Sequence, residues 1–259
     1  MKRFKAVVFD WAGTMVDFGS FAPMAVFVKA FERFGIEVSI EEARAPMGAP
    51  KWDHIDAMFS MPRVAEAWFA KYGRTPTRAD VDQVYKVFVP MNEEIVAEYA
   101  GLIPGAGEAI AKLRAKGLKI GSTTGYTRSI MERVLPVAAG QGYEPDNLVC
   151  SDDLPEGRPG PLGMYKCLVD LAVYPPSAVV KVDDTEPGIA EGVAAGCPTV
   201  GVTLTGNYVG KTPDELQAMS EGEVAQLREN AAAKLRAAGA DHVIDTVADL
   251  PDLLERLDS

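Results

Sequence analysis

Four stretches of this 259-residue chain set polar, chemistry-bearing residues directly after short apolar runs. Asp10 follows AVVF. Ser122, Thr123 and Thr124 follow LKIG and lead into Gly125. Arg158 lies in the loop GRPGP after DNLVC, and Asp183 with Asp184 ends SAVVKV. A short apolar run fits a strand buried on both faces, and the carboxyl ends of parallel strands form the rim where open α/β sheets bind ligands. If the four runs are strands of one sheet, that rim gathers a nucleophilic carboxylate, hydroxyl and backbone donors, a cation and two further carboxylates. Each residue also has an ordinary explanation. Asp10 and the Asp183–Asp184 pair can cap the next segments, Thr124 can belong to a turn, and Arg158 can pair with a surface acid. All four ordinary explanations must hold together to leave the rim without a function.

The elements that would carry this rim follow from periodicity. From Leu102 onward strands and helices alternate. AGEAIAKLRAKG, TRSIMERVLPVAAG, GMYKCLVDLAV and GIAEGVAAG read as helices, separated by the strands LKIGSTTG, DNLVCSDD, SAVVKVDD and PTVGVTLTG. This alternation implies a parallel sheet with helices on both faces. Between Asp17 and Tyr99 the pattern is helical instead. Phe21, Met24, Phe27, Val28, Phe31 and Phe34 recur at helical spacing, Ser39 and Glu42 make a capping box, and Thr77 opens a long amphipathic stretch that Pro90 should kink or break. The expected architecture is α/β: a Rossmann-like doubly wound core of residues 1–19 and 100–259, with an all-helical cap of residues 20–99 inserted after the first strand. The tail from Thr212 reads as a polar helix, a short strand HVIDTV and a last helix, with no evident chemistry.

DWAGTMVD resembles the first motif of the haloacid dehalogenase superfamily, and the other rim residues follow the superfamily's order of Asp, Ser/Thr, Lys or Arg, and acidic pair. The resemblance implies that Asp10 attacks and becomes a covalent intermediate. It implies Mg²⁺ held by Asp10, Asp184 and the carbonyl of Ala12, with oxygen ligands that suit a hard ion. Thr124, the Gly125 amide and Arg158 would then bind phosphoryl oxygens. Most phosphatases of the superfamily carry a second Asp where this chain has Ala12. An alanine cannot protonate an alkoxide leaving group. A carbon leaving group beside an aldehyde needs no such acid if a lysine first forms an imine, because carbon then departs as an enamine. Lys51, in APMGAPKWDH, is the candidate, although a single lysine is ordinarily solvated. Many superfamily members also carry an acid four residues after the position of Asp184. Here that position is Gly188, and Asp183 stands as the candidate replacement in the metal site.

More specifically, FDWAGTMVDFGSFAP, EEARAPMGAPKWDHI, KIGSTTGYTR, GRPGP and KVDDTEPGIAEG resemble the phosphonoacetaldehyde hydrolase family, over residues 4 to about 205. The resemblance implies hydrolysis of a phosphorus–carbon bond in a small phosphonate, Lys51 as the imine-forming residue, and a homodimer through the cap helices. It places Met47, His54 and Tyr126 where the family tunes the lysine and handles its protons. Two other readings stay open. One is a phosphatase or sugar-phosphate mutase of the superfamily, against which Ala12 counts. The other is a non-catalytic phosphate-binding module, against which Asp10 counts.

Composition narrows the partners. The net charge is -11 and no basic cluster stands out, which argues against nucleic acid and anionic membrane surfaces. The opening MKRFKAVVFDW has too short an apolar run for a signal sequence, and no run approaches a membrane span. Cys150, Cys167 and Cys197 lie far apart without metal-ligand spacing, as expected of buried thiols in a reducing cytoplasm.

Overall fold

The computed structural model describes residues 3–258; Met1, Lys2 and Ser259, at the ends of the expected core range, lie outside the described residues. Strand β1, Ala6–Phe9, is buried at every position. It pairs in parallel with β2, Lys119–Ser122, on one side and with β3, Val179–Asp183, on the other. β4, Thr199–Val202, and β5, His242–Ile244, complete a parallel sheet of order β2-β1-β3-β4-β5. The register sets Phe9 opposite both Ser122 and Val182. Asp10, Thr123 and Asp183 therefore leave the sheet at the same level, on one rim.

The strand expected at DNLVCSDD is reduced to a single bridge between Val149 and Thr123. The segment does run along the free edge of β2, where the Val149 N–H donates to the Ser122 carbonyl and the Thr124 N–H to the Val149 carbonyl. One turn earlier the Asp146 carboxylate accepts the Ile120 N–H. A side chain thus occupies a ladder position that backbone would fill in a full strand.

After β1 the chain enters five helices: α1, Ala22–Glu32; α2, Ile40–Arg44; α3, Lys51–Phe59; α4, Pro62–Tyr72; and α5, Arg78–Ile95. Their inward faces bury an apolar cluster of their own, with Phe27, Phe31, Ile55, Met58, Trp68, Val84 and Phe88, separate from the cluster beneath the sheet. Ser39 and Glu42 cap α2 reciprocally, as do Thr77 and Asp80 on α5. Of the two expected effects of Pro90, a break does not occur: α5 runs through it. Pro90 sits on the exposed face, as does Lys86, whose carbonyl loses its intrahelical donor, so water can satisfy that carbonyl.

Helices α6, Ala106–Ala115; α7, Arg128–Gly140; α8, Leu162–Asp170; and α9, Glu186–Ala194, connect and flank the strands. The tail adds α10, Pro213–Ala218; α11, Glu221–Ala237; and α12, Leu250–Asp258, with β5 between the last two. Among the described residues, no helix is long and apolar enough to cross a membrane. The three cysteines are buried and free.

Candidate active site

Asp10 is the first residue past β1, and its N–H still donates to the Val182 carbonyl of β3. The residue is only 6% exposed. The chain then turns sharply, with the N–H groups of Met15 and Val16 both reaching the Trp11 carbonyl. Gly13 has φ +81° at this turn, and a Cβ there would lie 2.3 Å from Asp184 Oδ2. Glycine is thus required both by the backbone and by the approach of Asp184. The Thr14 hydroxyl donates to Asp184 Oδ1 at 2.8 Å, and the Asn207 N–H to Oδ2 at 2.8 Å.

Asp10, Asp183 and Asp184 each offer a carboxylate oxygen within 4.8 Å of the others. Arg158 lies 2.8 Å from Asp10 Oδ1 and 3.4 Å from Asp183 Oδ2. Behind it sits a buried network absent from the sequence reading. Lys181, fully buried in β3, contacts Asp183 at 3.0 Å and Glu191 at 3.2 Å, and donates to Thr123 Oγ1 at 2.7 Å. Arg158 Nε contacts Glu191 at 3.1 Å, and its Nη2 donates to the Thr123 carbonyl and hydroxyl. Two signals for this network were legible. Lys181 interrupts the apolar run VVKVD, and Glu191 is the charge in the small-residue helix GIAEGVAAG.

Three buried carboxylates, Asp10, Asp183 and Glu191, thus meet two buried cations, Arg158 and Lys181, while the fourth, Asp184, has no cation in ion-pair contact among the described residues. The consequences show in the carboxyl groups. Burial, with Asp10 and Asp183 adding repulsion, raises Asp184 well above the usual carboxylate range. Burial and then Asp183 push Asp10 up to about 6, against the pull of Arg158. Burial also penalises Asp183, but Lys181 and Arg158 outweigh it and hold that group low. An all-oxygen donor set with excess negative charge fits a hard divalent cation. Asp183 is the member already committed to Lys181, Arg158 and Thr185. Its carboxylate fills the space of a side chain at residue 188, since a Cβ on Gly188 would lie 1.9 Å from Asp183 Oδ2.

The helical insertion closes the cleft from the other side. Asp10, Ala12, Met47, Lys51, Thr124, Gly125, Tyr126 and Arg158 all line it, together with Ser20, Pro23, Gly48 and Thr185. Gly48, at φ +92°, packs on Thr185, where a Cβ would meet the hydroxyl oxygen at 2.2 Å. Lys51 opens α3 and is 3% exposed. Its ammonium lies 3.9 Å from the Met47 sulfur and over the rings of Tyr126 and Phe27, at 5.1 and 5.8 Å. Burial drives Lys51 down from 10.5 to about 8, opposed by Asp10 and assisted by Arg158.

His54 does not line the cleft. It lies one turn beyond Lys51, stacked on Phe27 with ring centroids 3.9 Å apart. Its Nε2 sits 2.8 Å from the Ala43 carbonyl, which can only accept, so the proton is on Nε2 and Nδ1 is left as a buried, unpartnered lone pair. Burial and the Lys51 charge hold it well below 6.5. Tyr126 is also buried, its hydroxyl unpartnered, and burial raises it well above 10.

A five-stranded parallel sheet with carboxylates on its rim and a helical insertion after the first strand defines a hydrolase of the haloacid dehalogenase kind. The model of the haloacid dehalogenase-like hydrolases matches residues 4–196, and the chain belongs to that family. Within it the chain belongs with the phosphonoacetaldehyde hydrolases. It is 51% identical to that enzyme of Paraburkholderia phytofirmans, over 96% of this chain and 94% of the relative, and 50% identical to that of Klebsiella pneumoniae, over 98% and 95%. A crystal structure of a phosphonoacetaldehyde hydrolase like protein from Oleispira antarctica superposes with a TM-score of 0.97 at 42% identity, covering 99% of this chain and 93% of that one.

Proposed function

We propose that this protein hydrolyses the phosphorus–carbon bond of 2-phosphonoacetaldehyde to acetaldehyde and phosphate. One observation carries the mechanism. Lys51 is buried in the same cleft as Asp10, with no carboxylate in ion-pair contact among the described residues, beside an Ala12 that offers no acid. Neutral Lys51 adds to the aldehyde carbon and water leaves, giving a protonated imine. Asp10 attacks phosphorus, and the phosphorus–carbon pair moves into the imine to give an enamine. Thr124, the Gly125 amide and Arg158 hold the phosphoryl oxygens. Mg²⁺ bound by Asp10, Asp184 and the Ala12 carbonyl would supply charge to offset repulsion between the Asp10 carboxylate and a phosphonate dianion. Water cleaves the aspartyl phosphate, releasing phosphate and restoring Asp10. The enamine takes a proton on carbon, and a second water hydrolyses the imine to acetaldehyde and free Lys51. Neutral His54 and protonated Tyr126 are suited to accept and donate protons near Lys51, and Met47 to shield it. Residues 20–99 act as a cap that brings the lysine to the core, so closure gates turnover.

The test is borohydride reduction in the presence of phosphonoacetaldehyde, followed by peptide mapping. A stable adduct on Lys51 with loss of activity is expected, and Lys51→Arg should abolish turnover because a guanidinium forms no imine. Turnover by Lys51→Arg, or hydrolysis of phosphate esters without any adduct, would return the protein to ordinary phosphatase chemistry. We further propose a cytoplasmic homodimer that pairs through the cap helices, where Ile40, Phe69 and Tyr72 are exposed; light scattering reads the assembly.

A further inference from the structure

We infer that Arg44 and Asn207 are positioning residues that tie docking of the helical insertion to the seat of Asp184. Arg44 ends α2. Its Nη1 donates to the Gly19 carbonyl at 2.7 Å, the Asn207 carbonyl at 3.1 Å and Asn207 Oδ1 at 3.2 Å. Asn207 returns a bond from Nδ2 to the Arg44 carbonyl at 3.5 Å. The backbone N–H of the same asparagine donates to Asp184 Oδ2. One fully buried residue therefore grips the insertion with its side chain and a rim carboxylate with its backbone.

The loop that carries Asn207 is thinned on both sides. A Cβ on Gly206 would lie 2.6 Å from Asp184 Cβ, and one on Gly210 would lie 2.7 Å from Arg44 Cζ. Glycine at each face lets the loop fit between the two. Arg44 uses its Nη1 on carbonyl and amide oxygens, with the Phe21 ring 5.3 Å beneath the guanidinium. A guanidinium fixed by several oriented acceptors is sensitive to position, which an exposed ion pair is not. When the insertion swings away, Arg44 leaves Asn207, and the N–H on Asp184 loses its anchor.

The inference rests on the proposed role of Asp184 in holding Mg²⁺, so two readouts are needed. Hydrogen exchange of the Asn207 peptide reads the link without metal or substrate; Mg²⁺ titration by calorimetry reads its consequence. In the full-length protein, Arg44→Ala should speed exchange at Asn207. Arg44→Ala and Asn207→Ala, which keeps the backbone N–H, should each weaken Mg²⁺ binding by about tenfold, the usual scale for residues that orient metal ligands. The double variant should be no worse than the weaker single, because both cut one link. Arg63→Ala, which breaks the ion pair between Arg63 of α4 and Glu42 of α2, should leave both readouts unchanged. Unchanged exchange at Asn207 in folded Arg44→Ala overturns the inference, as do additive losses in the double variant. Faster exchange in a protein whose wild type binds no Mg²⁺ keeps the link and overturns the metal reading alone.

Discussion

Replacing Lys51 with methionine should make the protein more stable near neutral pH while removing the imine. The lysine is buried, and burial lowers it from 10.5 to about 8. The folded state therefore holds its ammonium at a disadvantage of about 3 kcal/mol near pH 7, where the unfolded chain keeps it hydrated. Methionine of similar length escapes that cost. It also loses the cation–π contacts with Tyr126 and Phe27, worth about 1–2 kcal/mol together, so the net gain should be about 1–2 kcal/mol. The pH dependence is the sharper test. Between about 8 and 10.5 the unfolded state binds the extra proton, so wild type gains stability as pH rises and the variant does not. Urea unfolding at both ends should show the variant's advantage shrinking by about 2 kcal/mol from pH 7 to pH 9.5, with an unchanged slope in denaturant. A destabilised variant whose deficit is the same at both pH values would refute the claim that the fold holds Lys51 below its ordinary range.

The same shift sets the pH profile of turnover. Between about 6, where Asp10 titrates, and about 8 the neutral fraction of Lys51 falls tenfold per pH unit, so kcat/KM for phosphonoacetaldehyde should rise with unit slope across that range; a flat profile there excludes a neutral Lys51 as the nucleophile. Gly188→Ala should cost about 3 kcal/mol in thermal or denaturant unfolding, because its Cβ meets the Asp183 carboxylate. The exchange Asp183→Gly with Gly188→Asp should recover thermal stability that Asp183→Gly alone loses, because one carboxylate fills the same space from either position; calorimetry decides. Thr77→Ala should destabilise α5 by about 1 kcal/mol, by loss of the capping box with Asp80, without changing kcat.

The parts of the site readable in advance were those tied to strand ends. Asp10, Thr124, Asp183 and Asp184 follow apolar runs whose parallel pairing brings their ends together whatever lies between them, and Arg158 reaches the same rim from a loop. The helical insertion was equally legible, since its apolar spacing and the Ser39–Glu42 box are local. The structure departs from expectation for local reasons too: Asp146 takes a ladder position by side chain, and α5 runs unbroken through Pro90, which sits on a solvent face. Lys181 and Glu191 each stand out as a charge among apolar or small residues, but their partners, like those of the Arg44–Asn207 contact, had no such pattern. Their partners lie up to 163 residues away, and nothing in the flanking sequence says which loop meets which helix.

The buried network also accounts for how Asp10 and Lys51, the two proposed nucleophiles of opposite ordinary charge, share one cleft. Asp10 and a charged Lys51 would pair if left alone, which would quench both and raise the lysine. Asp10 is instead met by Arg158, at 2.8 Å. Arg158 cannot turn away, because Thr123, Glu191 and Asp183 hold its other nitrogens, and Lys181 in turn holds Glu191 and Asp183. The guanidinium stays charged at any working pH, so it satisfies Asp10 without competing for a proton. Its positive charge also disfavours a proton on Lys51. One rigid cation thus opposes the burial that raises Asp10 and adds to the burial that lowers Lys51, and both shifts favour the ionised carboxylate and the neutral amine that the proposed attack on phosphorus and imine require together.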